Sequence, residues 1–261
     1  MNLFDPNVKK AARIAQAKAE AAAKAASKEA KPDAIATRTT LIKPEEATER
    51  IRIVFDNSAS MSTHIDGDYN KSRISEAKKG IVEYLRNCQL NRDAIAIHFL
   101  NNYASYSYED ASNRLLPLLE KSQLTTDLLL LASSIDSPDI TAIGGTPLFE
   151  VTEQALAATP EATRLIIFSD GEPNNEFKKE FCINEALRKK VPIDTVFIGD
   201  KDDRGAVLLK EIAERTHGIY IVIDSTKGAN FKTAFKYLAP TMRFMLVDDT
   251  FKARLERGEV K

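Results

Sequence analysis

The stretch Ile51-Arg52-Ile53-Val54-Phe55-Asp56-Asn57-Ser58-Ala59-Ser60-Met61 decides how the chain folds. Four of its first five residues, all but Arg52, are β-branched or aromatic, and the five read as a short strand that stops at Asp56. A carboxylate does not belong in a core unless it is paired or metal-bound. The loop that follows carries one carboxylate and two hydroxyls on alternate residues, Asp56, Ser58 and Ser60. A second apolar strand, Arg164 to Ser169, ends in the same way at Asp170.

Outward from these two strands the pattern alternates. Lys71 to Cys88 has helical spacing at Ile74, Ala77, Ile81, Val82 and Leu85. Asp93 to Leu100 reads as a strand, and Tyr103 to Tyr108 alternates like a strand at an edge. Asn113 to Leu119, Thr125 to Ile135 and Pro147 to Ala158 read as helices, the last with Pro at its first turn. Beyond Asp170 come Phe177 to Lys190, Ile193 to Gly199, Gly205 to His217, Gly218 to Ile223 and Asn230 to Met245, alternating helix and strand. The strands are short continuous apolar runs, as expected when both sheet faces are covered. The expected fold is α/β and doubly wound. It has a mostly parallel six-stranded sheet, one antiparallel edge strand and helices on both faces. In such sheets ligands bind beyond the carboxyl ends of the strands, at the switch point of strand order. Asp56 and Asp170 both stand at that edge. A third oxygen-bearing turn, Gly144-Gly145-Thr146-Pro147-Leu148, delivers Thr146 to a helix start. All these donors are oxygens, the ligands that a hard cation such as Mg2+ takes.

The 261 residues contain 37 Lys and Arg against 38 Asp and Glu, for a net charge of −1. That balance disfavours nucleic acid as the main partner. With 43% hydrophobic residues there is enough apolar material for a full core. The apolar runs, such as Leu128 to Ala132, are too short to span a bilayer, and Met1 to Ile14 lacks the apolar stretch of a secretory signal. Two cysteines make no disulfide framework and three histidines make no rich zinc site. A soluble cytoplasmic protein is expected, with no membrane insertion.

Three regions are expected. Residues 1–47 form a basic Ala/Lys-rich helical segment and linker, with seven basic residues against two acidic ones between Val8 and Lys31. Pro32 should end its helix. Residues 48–247 form the α/β domain, and residues 248–261 a charged tail.

Asp56-x-Ser58-x-Ser60, Thr146 and Asp170 together resemble the metal-ion-dependent adhesion site (MIDAS) of the von Willebrand factor A domain family. The resemblance covers roughly Glu49 to Met245. It implies that Ser58 and Ser60 bind a divalent ion directly and Thr146 directly or through water. Asp56 and Asp170 would mainly hold coordinating waters. Mg2+ is the implied cofactor, with Mn2+ as the alternative. The family leaves one coordination position for an acidic side chain of a protein partner, so Asn57, Met61, Gly145, Gly171 and Glu172 become candidate partner-binding positions. Ala59 departs from the Gly usual in the family but removes no donor. Asp170-Gly171-Glu172-Pro173-Asn174 is similar to bacterial intracellular members, which work beside AAA+ ATPases or in stress and conflict systems. The implied function is that of a non-enzymatic adaptor, switched by movement of the Thr146 loop and last helix.

Taken singly, each element has a plain structural use. Asp56 could cap a strand end, Ser58 and Ser60 start a helix, Thr146 cap the helix at Pro147, and Asp170-Gly171 make a turn. Two other functions compete. A Mg2+-dependent phosphoryl-transfer enzyme of the haloacid-dehalogenase type needs an acid two residues beyond its nucleophilic Asp, where Ser58 stands. A structural subunit of a larger particle would depend on the Ala/Lys segment. No Walker-type loop is present, because Gly144-Gly145-Thr146 lacks a following Lys. Asp66-Gly67-Asp68-Tyr69-Asn70 opens like an EF-hand loop but has Lys71 and Ala77 at the required Gly and Glu, so it reads as an acidic rim. His98 reads as a satisfied core residue, His64 as a solvated loop residue and His217 as a helix-end residue. Cys88 and Cys182 read as packing thiols. Tyr103, Tyr106 and Tyr108 stand beside Glu109 and Asp110, which argues against a nucleic-acid stacking platform.

Overall fold

Glu49–Phe55 forms strand β1, and its last five residues are buried, as its apolar run requires. The computed structural model describes residues 41–65, 68–90, 92–101, 122–135, 140–224 and 231–240. After β1 a short 3-10 turn, Ala59–Ser62, leads into a two-stranded antiparallel hairpin of β2 (His64–Ile65) and β3 (Asp68–Ser72). Helix α1 (Arg73–Asn87) starts there because Ser72 caps it: the Ser72 hydroxyl accepts from Ser75 N at 3.3 Å, and Ser75 Oγ accepts from Ser72 N at 3.0 Å. Strand β4 (Asp93–Phe99), helices α2 (Leu128–Ile135) and α3 (Leu148–Ala157), and strand β5 (Arg164–Ser169) follow. Then come α4 (Lys179–Lys189), β6 (Ile193–Ile198), α5 (Arg204–Arg215), β7 (Tyr220–Ile223) and α6 (Phe231–Leu238).

The main sheet has the order β4-β1-β5-β6-β7, and each of its four pairings is parallel. Register sets Phe55 beside both Phe99 and Phe168, so β4, β1 and β5 end together at one edge. Side chains alternate between two apolar layers. Ile51, Ile53, Phe55, Ile97, Phe168 and Val196 pack with α1, α2 and α6. Val54, Leu165, Ile167, Ile193 and Phe197 pack with α3, α4 and α5. The sheet is thus covered on both faces, the doubly wound α/β arrangement expected. Phe235 of α6 stacks on Phe168 with ring centroids 4.2 Å apart. Gly80 of α1 makes room for it, since a Cβ there would lie 2.5 Å from the Phe235 ring.

Several expected elements, namely the Ala/Lys segment, the edge strand at 103–108, the helix at 113–119 and the tail at 248–261, lie outside the described residues. The β2–β3 hairpin was not expected. It occupies part of the stretch read as an acidic rim, and Lys71 pairs with Asp68 at 3.3 Å. Cys88 and Cys182 are free and buried; burial pushes both thiols up, that of Cys182 to about 12. Among the described residues no helix is long and apolar enough to cross a membrane.

Candidate metal centre

Asp56 continues the β1–β5 ladder by one residue, its N–H donating to Phe168 O at 2.9 Å. Its carboxylate is fully buried. Oδ1 accepts from Ser58 N at 2.7 Å, which turns the chain, and Oδ2 accepts from Ser169 Oγ at 2.5 Å. Burial raises the Asp56 carboxyl above the usual carboxylate range; the Ser169 and Ser58 hydrogen bonds oppose the shift and the Asp170 charge adds to it.

Ser58 opens the 3-10 turn without capping it. Its Oγ lies instead 2.9 Å from Ser60 Oγ, and Ser60 Oγ donates to Asp170 Oδ1 at 2.7 Å. Three oxygen-bearing groups, two from the loop after β1 and one from the end of β5, are therefore in direct contact across 110 residues of sequence. The other Asp170 oxygen, Oδ2, accepts from Arg73 Nη1 at 2.7 Å. The hairpin brings Arg73 there: Arg73 N donates to Thr63 O at 3.0 Å, placing the first turn of α1 beside the Ser58–Ser60 loop.

Thr146 is buried at the same edge and held by its backbone. Asn174, four residues past Asp170, clips it from both sides. Thr146 N donates to Asn174 Oδ1, and Asn174 N donates to Thr146 O, each at 2.9 Å. The preceding turn is tied to the first loop by Ala59 N to Gly144 O at 3.0 Å and Ile143 N to Asn57 O at 2.7 Å. Gly144 has φ +74°, the left-handed region, and a Cβ there would lie 2.5 Å from Asn101 Oδ1.

The five expected ligand residues thus come from three loops that are mutually hydrogen-bonded at the carboxyl edge of β1 and β5. Of the five candidate partner-binding positions, two stand behind the site. Asn57 is 1% exposed; its side-chain amide accepts from Asn101 N at 2.8 Å and donates to Asn101 O at 3.0 Å. Met61 is fully buried in the α1 layer. These two side chains hold the loop rather than face a partner. Gly145 and Glu172 are exposed and Gly171 is half-buried; Glu172 pairs with Arg204 at 3.4 Å. Sequence reasoning did not single out Arg73, Ser169 or Asn174. Ser169 and Asn174 flank Asp170 closely enough to have been candidates, whereas nothing local marks Arg73.

The expected donor set is two carboxylates and three hydroxyls, and among the described residues no three His, Cys, Asp or Glu side chains cluster to hold a metal. Such a set does not suit a soft or zinc-selective centre of nitrogen and sulfur ligands. It does suit a hard divalent ion that keeps water. His64 does not join it; its ring is exposed and stands edge-on to Tyr69 at 5.2 Å.

No protein-family model and no curated protein matches the sequence. Solved structures match the fold. An aerotolerance-related membrane protein from Bacteroides fragilis is similar with a TM-score of 0.52 at 18% identity, over 76% of this chain and 100% of that one. Proximal thread matrix protein 1 from the mussel byssus, in a structure with a zinc-occupied MIDAS motif, is similar with a TM-score of 0.51 at 16% identity. That match covers 77% of this chain and 46% of the mussel chain, so this chain spans less than half of the mussel protein's length. At such identities the likeness is one of fold alone, and the fold is of the von Willebrand factor A type.

Proposed function

We propose that this von Willebrand factor A-type chain is a non-enzymatic, cytoplasmic protein-interaction module. Its site would bind Mg2+, with Mn2+ as the alternative, and through the ion an acidic side chain of a protein partner. The observation that carries this reading is the contact of Ser58, Ser60 and Asp170 oxygens at the carboxyl edge of two adjacent parallel strands. Ser58 and Ser60 would hold the ion directly, Thr146 directly or through water, and Asp56 and Asp170 mainly through coordinating waters. The bound ion supplies a positive charge that two set-back carboxylates neutralise only in part, and a partner Glu or Asp completes the balance.

The chain's own residues prepare that surface. Ser169 and the Ser58 amide fix the Asp56 carboxylate, so its lone pairs are aimed before any ligand arrives. Asn174 sets the position of Thr146 and couples it to the Asp170 loop. Around the cluster, Gly171 leaves room beside Ser60 for an approaching side chain, whereas Gly145 makes room for the Asn174 amide, 2.6 Å from where a Cβ would stand; exposed Glu172 and Phe177 give the rim charge and apolar area. An AAA+ ATPase or a stress-system complex is the partner class that the sequence resemblance suggests, with this chain as its adaptor.

Affinity capture with Mg2+ and with chelator tests the reading. Partners should be retained with Mg2+ and lost on chelation, and Ser58→Ala with Ser60→Ala should lose them with the ion present. Partner capture unaffected by chelation, or phosphate-ester turnover abolished by Asp56→Asn, would overturn it.

A further inference from the structure

Arg73 is the first residue of α1, and its side chain is 20% exposed, whereas that of Asp170 is fully buried. Both Asp170 oxygens are engaged within the protein. Oδ1 accepts from Ser60 Oγ and Oδ2 from Arg73 Nη1, each at 2.7 Å. The carboxylate is thus set back behind Ser60, and its charge is already matched by the guanidinium. Asp56 differs. Its buried carboxylate accepts from two uncharged groups, Ser58 N and Ser169 Oγ, and no cation among the described residues pairs with it. Glu172, Asp203 and Arg204, which border Asp170, are exposed, so water screens their charges.

The charge balance follows from these contacts. A divalent ion beside two carboxylates is formally neutral, and a third carboxylate then gains mainly from coordination. With Arg73 the same cluster holds one positive charge, at an edge where Asp56, Ser58, Thr146 and Asp170 are all buried. Charges in such surroundings act strongly on one another. One carboxylate from outside closes the balance. An amide leaves the positive charge unmatched, and a phosphate dianion exceeds it.

We propose that Arg73 makes this site selective for the monoanionic carboxylate of a partner's Glu or Asp, by supplying the positive charge which that carboxylate completes. The inference rests on the metal-dependent reading given above. The guanidinium acts through its charge and needs no contact with the partner. It opposes the ion and favours the incoming anion, so its removal changes the two affinities in opposite directions. A merely structural role, holding Asp170 in place, would lower both together.

The test uses the full chain, Mn2+, and two capped tripeptides, N-acetyl-Gly-Glu-Gly-amide and its Gln counterpart. Free Mn2+ is read from its electron paramagnetic resonance signal, so that ion held by peptide in solution is accounted for. With the unmodified chain, saturating Glu peptide should raise Mn2+ affinity about tenfold, and the Gln peptide should leave it unchanged. In Arg73→Gln, Mn2+ alone should bind more tightly and the gain from the Glu peptide should fall to about twofold or less. Arg73→Lys keeps the charge and should keep the gain. If Arg73→Gln does not fold, Arg73→Met, which retains the aliphatic stem, takes its place. An equal gain in the unmodified and uncharged chains, or loss of both affinities together, would overturn the role of Arg73 and leave the metal reading standing. No Mn2+ uptake by the unmodified chain, or uptake indifferent to the Glu peptide, would overturn both.

Discussion

Arg73 Nη1 lies 2.7 Å from Asp170 Oδ2, so the carboxylate at the end of β5 already carries a cation from the first turn of α1. If a divalent ion binds beside Asp170, this guanidinium opposes it. At a few ångströms a unit charge acts on a divalent ion with about 2 kcal/mol even in water. Arg73→Gln should therefore tighten Mg2+ binding by about tenfold or more in titration calorimetry. Equal or weaker uptake would show that Arg73 does not compete with the ion.

The Asp56 carboxyl is raised by burial, and the sign of its linkage follows. Without metal, the fold gains stability as pH falls through the raised pKa toward the unfolded value, because the folded state then takes the proton first. Asp56→Asn should raise the metal-free unfolding midpoint by a few degrees, on the order of 1 kcal/mol, and abolish any midpoint increase from Mg2+. Cation uptake by the unmodified chain should fade on acidification at a pH above the ordinary carboxylate value. Thermal scans with and without Mg2+ across that range check both points; a metal-dependent increase that survives in Asp56→Asn would contradict them.

His98 behaves in the opposite sense. Burial, with help from the Arg52 charge, holds its pKa at about 4. Its contribution is fully present above the unfolded value of about 6.5 and is lost as pH falls from there toward 4, because only the unfolded chain takes the proton. The loss is up to ~3 kcal/mol. The difference in urea midpoint between the unmodified chain and His98→Gln should shrink steadily over this interval; a constant difference would remove His98 as its cause.

Gly80→Ala tests the packing of α1 on α6. The added methyl would meet the Phe235 ring at 2.5 Å, and that ring is fixed against Phe168. Overpacking of this kind costs about 1–3 kcal/mol. A denaturation midpoint equal to that of the unmodified chain would show that α6 can shift freely.

Apolar runs and their bounding residues carried most of the fold. Arg164–Ser169 coincides with its expected range because both its faces are apolar and Asp170 ends it. The helix expected from Thr125 starts only at Leu128, because Thr125 pairs with Ile95 in an antiparallel bridge and Asp127 Oδ1 accepts from Leu130 N instead. The β2–β3 hairpin was not legible: its residues are polar and mostly exposed, so no alternation marks them. Arg73 was missed for the same reason, since its reach to Asp170 depends on that hairpin. Arg52 interrupts an apolar run, but its partners His98, Ser122 and Pro160 are 46 to 108 residues away. The ligand pattern itself was visible because its oxygens sit at fixed spacings beyond strand ends.

β1 is hydrogen-bonded to a strand on either side over most of its length. It cannot slide without breaking two ladders, and a one-residue slip would turn its apolar side chains outward. Arg52 and Asp56 are four residues apart on it, about 13 Å at the usual strand rise. The strand is thus a fixed spacer between the amino-end and carboxyl-end edges of the sheet.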